Sequence, residues 1–205
     1  MFTGIIENFG HIEQAEKKDG GDLLLQVSCS KPLERKLDIG CSIACNGACL
    51  TLVAKEEDKN KFYLDFQLSN ETCSKTTANQ WKIGKEINIE FALKVGDELG
   101  GHMVLGHVDG IAEIVDINQD DDSHIFKIQP TKELEEFIVK KGSVTIDGVS
   151  LTVNEVGANS FLLNIISHTM QNTIFKNYKI GDLVNLEIDV IARYLKGKTP
   201  SPIKK

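Results

Sequence analysis

Two short stretches of this chain place side chains capable of chemistry at matched positions. Asn46-Gly47-Ala48-Cys49-Leu50-Thr51 returns downstream as Asp147-Gly148-Val149-Ser150-Leu151-Thr152. Each opens on a turn dipeptide, Asn-Gly or Asp-Gly, that adopts positive φ easily. Each then runs into a β-prone apolar stretch, Leu50-Thr51-Leu52-Val53 or Leu151-Thr152-Val153. Between turn and strand stands one small polar side chain: the thiol of Cys49, or the hydroxyl of Ser150 beside the acid Asp147. Alone, either stretch reads as a hairpin whose small residue only has to fit. Two copies with different chemistry at one position point instead to two related pockets with different tasks. Imidazoles titrate near neutral pH and suit proton transfer, and two of them, His102 and His107, precede the second copy.

The elements that must position these groups are themselves repeated. Phe2–Glu7 lines up with Val104–Asp109, Gly40–Leu52 with Lys141–Val153, Phe66–Thr72 with Leu163–Thr169, and Lys82–Glu90 with Lys179–Glu187. Four blocks in one order make the chain a tandem duplication. His102 has no counterpart in the first half, which singles it out as a specialised residue. Short β-prone runs recur at Ile5-Ile6, Leu23–Val27, Ser42–Ala44 and Phe62–Phe66, while Ile87–Phe91 alternates with period two. Lys17–Asp22 and Glu56–Lys61 read as charged turns. Short helices are expected after Glu71, after His168, and over Thr131–Lys141, where Leu134, Phe137 and Ile138 share a face.

This pattern predicts an all-β chain of two tandem six-stranded Greek-key barrels, with short helices and a C-terminal helix. The barrels are assigned to residues 1–97 and 98–187, joined at the glycine-rich Val95–Gly101, with a helix and tail over 188–205. In that tail Ile188, Ile191, Ala192 and Leu195 form an apolar face that either meets another subunit or docks on its own barrel. Thr199–Lys205 reads as a loose end.

Composition narrows the classes. With 23 Lys+Arg against 30 Asp+Glu the net charge is −7, which argues against nucleic acid or an anionic membrane as partner. No apolar run approaches the ~20 residues of a membrane span. The start lacks a secretion signal, so a cytoplasmic location is expected. Cys29, Cys41, Cys45, Cys49 and Cys73 form no C-x-x-C pair. The step of four from Cys41 to Cys49 spans about 13 Å on a strand, too far for bridging or for sharing a metal. Free thiols and no metal are expected.

The repeated blocks resemble a known family. Met1-Phe2-Thr3-Gly4-Ile5, the two turn motifs, and Gly100-Gly101-His102-Met103-Val104-Leu105-Gly106-His107-Val108-Asp109-Gly110 together are similar to riboflavin synthase of the alpha-chain type, over Met1 to about Leu195. The resemblance implies a homotrimer with active sites between subunits, with lumazine synthase as a further candidate partner. It also implies a dismutation in which two molecules of 6,7-dimethyl-8-ribityllumazine exchange a four-carbon unit, without metal or redox cofactor.

By the same resemblance, the first pocket uses Gly4, Ile5, Ile6, Cys49, Leu50, Thr51 and the segment Gln67, Leu68, Ser69, Asn70, Glu71, Thr72. The second uses Gly106, His107, Val108, Ser150, Leu151, Thr152 and the segment Ile166, Ser167, His168, Thr169, Met170, Gln171. Lys141 is expected to reach a ligand in a neighbouring chain. Cys49, His102, Asp147 and Ser150 are the catalytic candidates. Cys49 either adds to the acceptor ring or packs and hydrogen-bonds, and Ser150 either activates a nucleophile or donates to a ring nitrogen. His168 in place of Glu71, and Ile166 in place of Ser69, set the second pocket apart. The competing readings are a non-catalytic lumazine- or flavin-binding antenna protein of the same fold and a generic double-barrel interaction module. Thr3, Cys49, His102 and Ser150 favour the enzyme.

Overall fold

The computed structural model describes residues 1–29, 37–58 and 61–197. Two closed antiparallel barrels of six strands each account for most of them. The first holds β1 (Asn8–Lys17), β2 (Leu23–Cys29), β3 (Ser42–Cys45), β4 (Ala48–Asp58), β5 (Lys61–Leu68) and β6 (Glu86–Phe91). Its order around the barrel is β1-β2-β5-β4-β3-β6, closed by β6 on β1. The second holds β7 (Gly110–Asp120), β8 (Ser123–Gln129), β9 (Ser143–Ile146), β10 (Val149–Val156), β11 (Phe161–Ile166) and β12 (Leu183–Ile188), in the equivalent order.

Alternation sets what faces in. Along β4, Ala48, Leu50 and Leu52 are buried while Cys49 and Thr51 lie on the outer face. Ser150 and Thr152 take the same outer positions on β10. The chemistry-bearing residues therefore stand outside the barrels, and the interiors are packed with Leu, Ile, Val and Phe. Each fully buried side chain of that kind contributes about 1.5–3 kcal/mol. Phe175 is wholly buried and meets Phe126 and Tyr178 edge-on, both at 5.2 Å between ring centroids. Phe175→Ala is expected to cost about 3–5 kcal/mol, read as a lower urea midpoint with an unchanged slope.

Helices α1 (Asn70–Lys75) and α3 (Ser167–Asn172) follow β5 and β11 as matched short turns. Ser69 caps α1 by accepting from Thr72 N–H, whereas Ile166 at the same place gives α3 no such cap.

Three sequence expectations are corrected. Ile5-Ile6 is not a strand: β1 begins at Asn8, and the backbone before it bonds partly to Glu90 of its own half and partly to Val104, His102 and Ser150 of the other. The helix expected over Thr131–Lys141 shrinks to α2 (Lys132–Glu135). Beyond it Phe137 and Ile138 donate three residues back, to Leu134 and Glu135, and this tighter winding still seats Leu134 and Ile138 in the second core. The turn expected from Glu56 starts later, because β4 runs on to Asp58. Residues 59–60 and the tail Thr199–Lys205 lie outside the described residues.

Helix α4 (Val190–Gly197) follows β12. Ile188, expected on its apolar face, is the buried last residue of β12. Docking on the second barrel is polar: Arg193 meets Asp109 at 2.5 Å, Lys196 pairs with Glu136, and the Lys196 ammonium sits over the Phe137 ring. Ile191, Tyr194 and Leu195 remain exposed.

Candidate functional site

The site begins where the two turn motifs meet. Asn46-Gly47 and Asp147-Gly148 all have positive φ, and they close the β3–β4 and β9–β10 hairpins. The turns lie back to back. A methyl group on Gly47 would stand 2.7 Å from Gly148 N, and one on Gly148 would stand 2.9 Å from Gly47 N. Only glycine allows that approach.

Side chains then lock the halves across an approximate two-fold axis. Asn88 Nδ2 donates to Asp147 O at 2.8 Å, and Asn185 Nδ2 donates to Asn46 O at 2.7 Å. Asp147, expected among the catalytic candidates, is built into this lock and is 2% exposed. Its carboxylate accepts from Asn185 N–H at 2.8 Å and from the Tyr178 hydroxyl, and it makes no bond to Ser150. Burial pushes its pKa up to about 6 against these stabilising bonds. The folded protein thus keeps a proton that the unfolded chain releases near pH 4, so stability falls as pH rises from about 4 to 6. Asp147→Asn, which copies Asn46, is expected to flatten that part of a stability–pH curve by at most about 3 kcal/mol.

The segments leading into each barrel are exchanged between halves. Phe2 and Val104 form an antiparallel bridge, with bonds of 2.7 and 3.1 Å. Glu90 on β6 accepts from Thr3 N–H, Thr3 Oγ1 and Gly4 N–H, while Glu187 on β12 accepts from Leu105 and Gly106 N–H at 2.7 and 2.9 Å. Past these clamps each segment crosses over. Gly4 O accepts from Ser150 N–H at 2.8 Å, and Gly106 O accepts from Cys49 N–H at 2.9 Å. Ile6 packs on the second core and Val108 on the first. This corrects the expected partition, which kept Gly4–Ile6 with Cys49 and Gly106–Val108 with Ser150.

The first cleft, of about 270 Å³, is lined by Cys49, Glu71, Thr72, Lys75, Thr76 and the crossing segment Gly106–Val108. Around the matched position in the second half, Ser150 Oγ stands 2.7 Å from His102 Nδ1, and His102 Nε2 stands 3.2 Å from Thr145 Oγ1. Burial lowers the His102 pKa, opposed by Asp189, which favours a neutral ring at neutral pH. Cys49 and Ser150, matched in sequence, are thus matched in space, but among the described residues only Ser150 is hydrogen-bonded to an imidazole, while His107 lines the Cys49 cleft without a bond to the thiol.

The other expected residues are distributed unevenly. Leu50 and Leu68 are buried in the first core, and Leu151 and Met170 pack on the second, so their side chains serve the barrels. Gln67, Ser69 and Ile166 at the ends of β5 and β11, Asn70 in α1, and Ser167, His168 and Gln171 in α3 are exposed, with Thr169 half-buried. Gln67 and Asn70 are tied to Asp22. Ile5 is half-exposed and His107 exposed. Lys141 lies on an exposed turn at φ 65° and does not line the first cleft. Thr145, Lys75, Glu90 and Glu187 were not expected. The last two had a signal: Asn-x-Glu occurs in both Ile87–Glu90 and Val184–Glu187, and residues two apart share a strand face.

Among the described residues no helix is long and apolar enough to cross a membrane. Residues 3–92 and 105–189 each match the family model for the Lumazine binding domain. The riboflavin synthase of Brucella abortus (strain 2308) is 44% identical over 195 residues, covering 95% of this chain and 96% of the relative. The chain belongs to the riboflavin synthase family. Within that family the riboflavin synthases of Bacillus subtilis (strain 168) and Schizosaccharomyces pombe are 40% and 33% identical, each over 95% of this chain and covering 88% and 91% of the relative. Among solved structures, LumP complexed with riboflavin superposes with a TM-score of 0.80 at 25% identity, over 92% of this chain and 99% of that one.

Proposed function

We infer that the chain makes riboflavin by dismutation of two molecules of 6,7-dimethyl-8-ribityllumazine. The second product is 5-amino-6-ribitylamino-2,4(1H,3H)-pyrimidinedione, formed as one lumazine gives a four-carbon unit to the other. The two products together hold the atoms of the two substrates, so the exchange needs no external oxidant or reductant. The observation that carries this reading is the pair of matched sites, each completed by the other half, with Cys49 at one and Ser150–His102 at the other. A reaction between two identical molecules needs two similar sites, and their chemical difference lets one hold the donor and one the acceptor. Holding two heterocycles in reacting geometry supplies much of such a rate. In this reading Cys49, His102 and Ser150 act on the rings, while Glu71, Thr72 and Lys75 line the first site.

The test is to incubate the purified protein with the lumazine, a chelator and nothing else. One riboflavin for every two lumazines consumed is the expected result. Tight lumazine binding without product would move the protein to the antenna class, a reading favoured by its likeness to LumP.

The reading extends to a cytoplasmic homotrimer with active sites between subunits, Lys141 reaching a neighbour's ligand, and lumazine synthase as a candidate partner. The exposed Ile191, Tyr194 and Leu195 of α4 support a subunit contact there. Deleting Val190–Lys205 spares the buried Ile188 and is expected to convert the trimer to smaller species by sedimentation. A truncated chain that stays trimeric would place the contact elsewhere.

A further inference from the structure

Thr145 stands where the first half has Ala44, directly across the β9–β12 ladder from Glu187. It is 1% exposed, and its hydroxyl makes one bond among the described residues, to His102 Nε2 at 3.2 Å. The other ring nitrogen, Nδ1, lies 2.7 Å from Ser150 Oγ. A neutral imidazole has one N–H donor and one acceptor nitrogen, so these two hydroxyls cannot play the same part.

Hydrogen-bond accounting decides between the two arrangements. If Nε2 carried the proton and donated to Thr145, the threonine O–H would be a buried donor with nowhere to go. Its cross-strand neighbour Glu187 is turned to Leu105 and Gly106 N–H, and among the described residues no acceptor other than His102 Nε2 is bonded to the Thr145 hydroxyl. An unmade buried bond of that kind is expensive. If Thr145 donates to Nε2, its donor is satisfied, Nδ1 carries the proton, and Nδ1–H donates to Ser150 Oγ. The Ser150 O–H is then free to point at whatever occupies the second site.

We propose that Thr145 is a positioning residue that holds His102 as the Nδ1–H tautomer and so makes Ser150 a hydrogen-bond donor to the bound heterocycle. The role assigned to Ser150 rests on the dismutase reading above; the tautomer does not. Of the two parts open to Ser150, activating a nucleophile or donating to a ring atom, this geometry selects donation. It also explains why threonine and histidine occur together in one half only: the first half lacks the imidazole and has alanine opposite.

Nitrogen NMR on protein with labelled histidine reads the tautomer directly, with the His102 signals identified by their loss in His102→Gln. The wild type is expected to show Nδ1–H for His102. Thr145→Val, which keeps the shape and removes the donor, is expected to shift the ring toward Nε2–H and lower kcat about tenfold with KM within about twofold. Thr145→Ser, which returns the hydroxyl, is expected to restore the tautomer and most of the turnover. A wild-type ring found as Nε2–H overturns the proposal whether or not any variant folds. So does Thr145→Val with unchanged tautomer and unchanged kcat. A wild-type protein that shows the Nδ1–H ring but makes no riboflavin would overturn the dismutase reading and leave the tautomer assignment standing.

Discussion

Alanine at His102 is expected to lower kcat for riboflavin formation about 100- to 1,000-fold while changing lumazine affinity less than about threefold. The imidazole joins two hydroxyls, Ser150 Oγ at 2.7 Å and Thr145 Oγ1 at 3.2 Å. Removing it leaves the Thr145 hydroxyl unpartnered and Ser150 without orientation, just where charge must be handled as the four-carbon unit moves. Ser150→Ala is expected to fall in the same range, and the double variant to be no slower than the worse single, since the two groups act as a unit. Cys49→Ala acts at the other site, so its loss should multiply with theirs. Steady-state kinetics beside fluorescence titration separates the two effects. If all three single variants keep wild-type kcat, these side chains are structural and the assignment fails.

A fragment of residues 1–97 is expected to fold and to pair with itself. It holds all six strands of the first barrel and the clamp of Glu90 on Thr3 and Gly4. What it lacks is the segment that covers Cys49, because Gly106–Val108 comes from the other half. The approximate two-fold symmetry supplies a substitute. Gly4 O meets Ser150 N–H as Gly106 O meets Cys49 N–H, so Gly4–Ile6 of a second copy can cover Cys49 in the same way. The pair should bind the lumazine or riboflavin at two identical sites, with turnover down at least about 1,000-fold because His102, Thr145 and Ser150 are absent. Sedimentation and fluorescence quenching on one sample give both answers. A monomeric fragment that binds as tightly as the full chain would show that the crossing segment does not build the site, and full-length turnover would show that the halves have not divided the chemistry.

The barrels were legible because their signals are local. Period-two alternation at Ile87–Phe91 and the glycine turns at 47 and 148 state strand and hairpin without reference to anything distant. Cys49 and Ser150 were legible because a duplication invites comparison position by position. The exchange of lead-in segments was not. Gly4–Ile6 and Gly106–Val108 hold matched positions in the repeat, and nothing in their residues says which half each one covers; that depends on how the halves are placed about their axis. Thr145 escaped notice for a related reason. It sits in a strand as threonines commonly do, and its role exists only once His102 is folded against it. That Asp147 is turned to Asn185 and Tyr178 while Ser150 faces His102 was not legible either, because Asp147 sits in the turn at positive φ and Ser150 on the strand beyond it.

The back-to-back contact of Gly47 and Gly148 bears on how such a duplicated gene can change over generations. Backbone from one half occupies the space in which a side chain on the other would grow. No single substitution at either glycine can be absorbed by its own barrel, and a matching change in the partner only adds a second obstruction. Divergence between the halves is therefore sterically open on the outward faces, where thiol and hydroxyl, Glu71 and His168, or Lys75 and Asn172 have already parted company, and closed at the seam. The duplicate could acquire a new task only by holding its grip on the original.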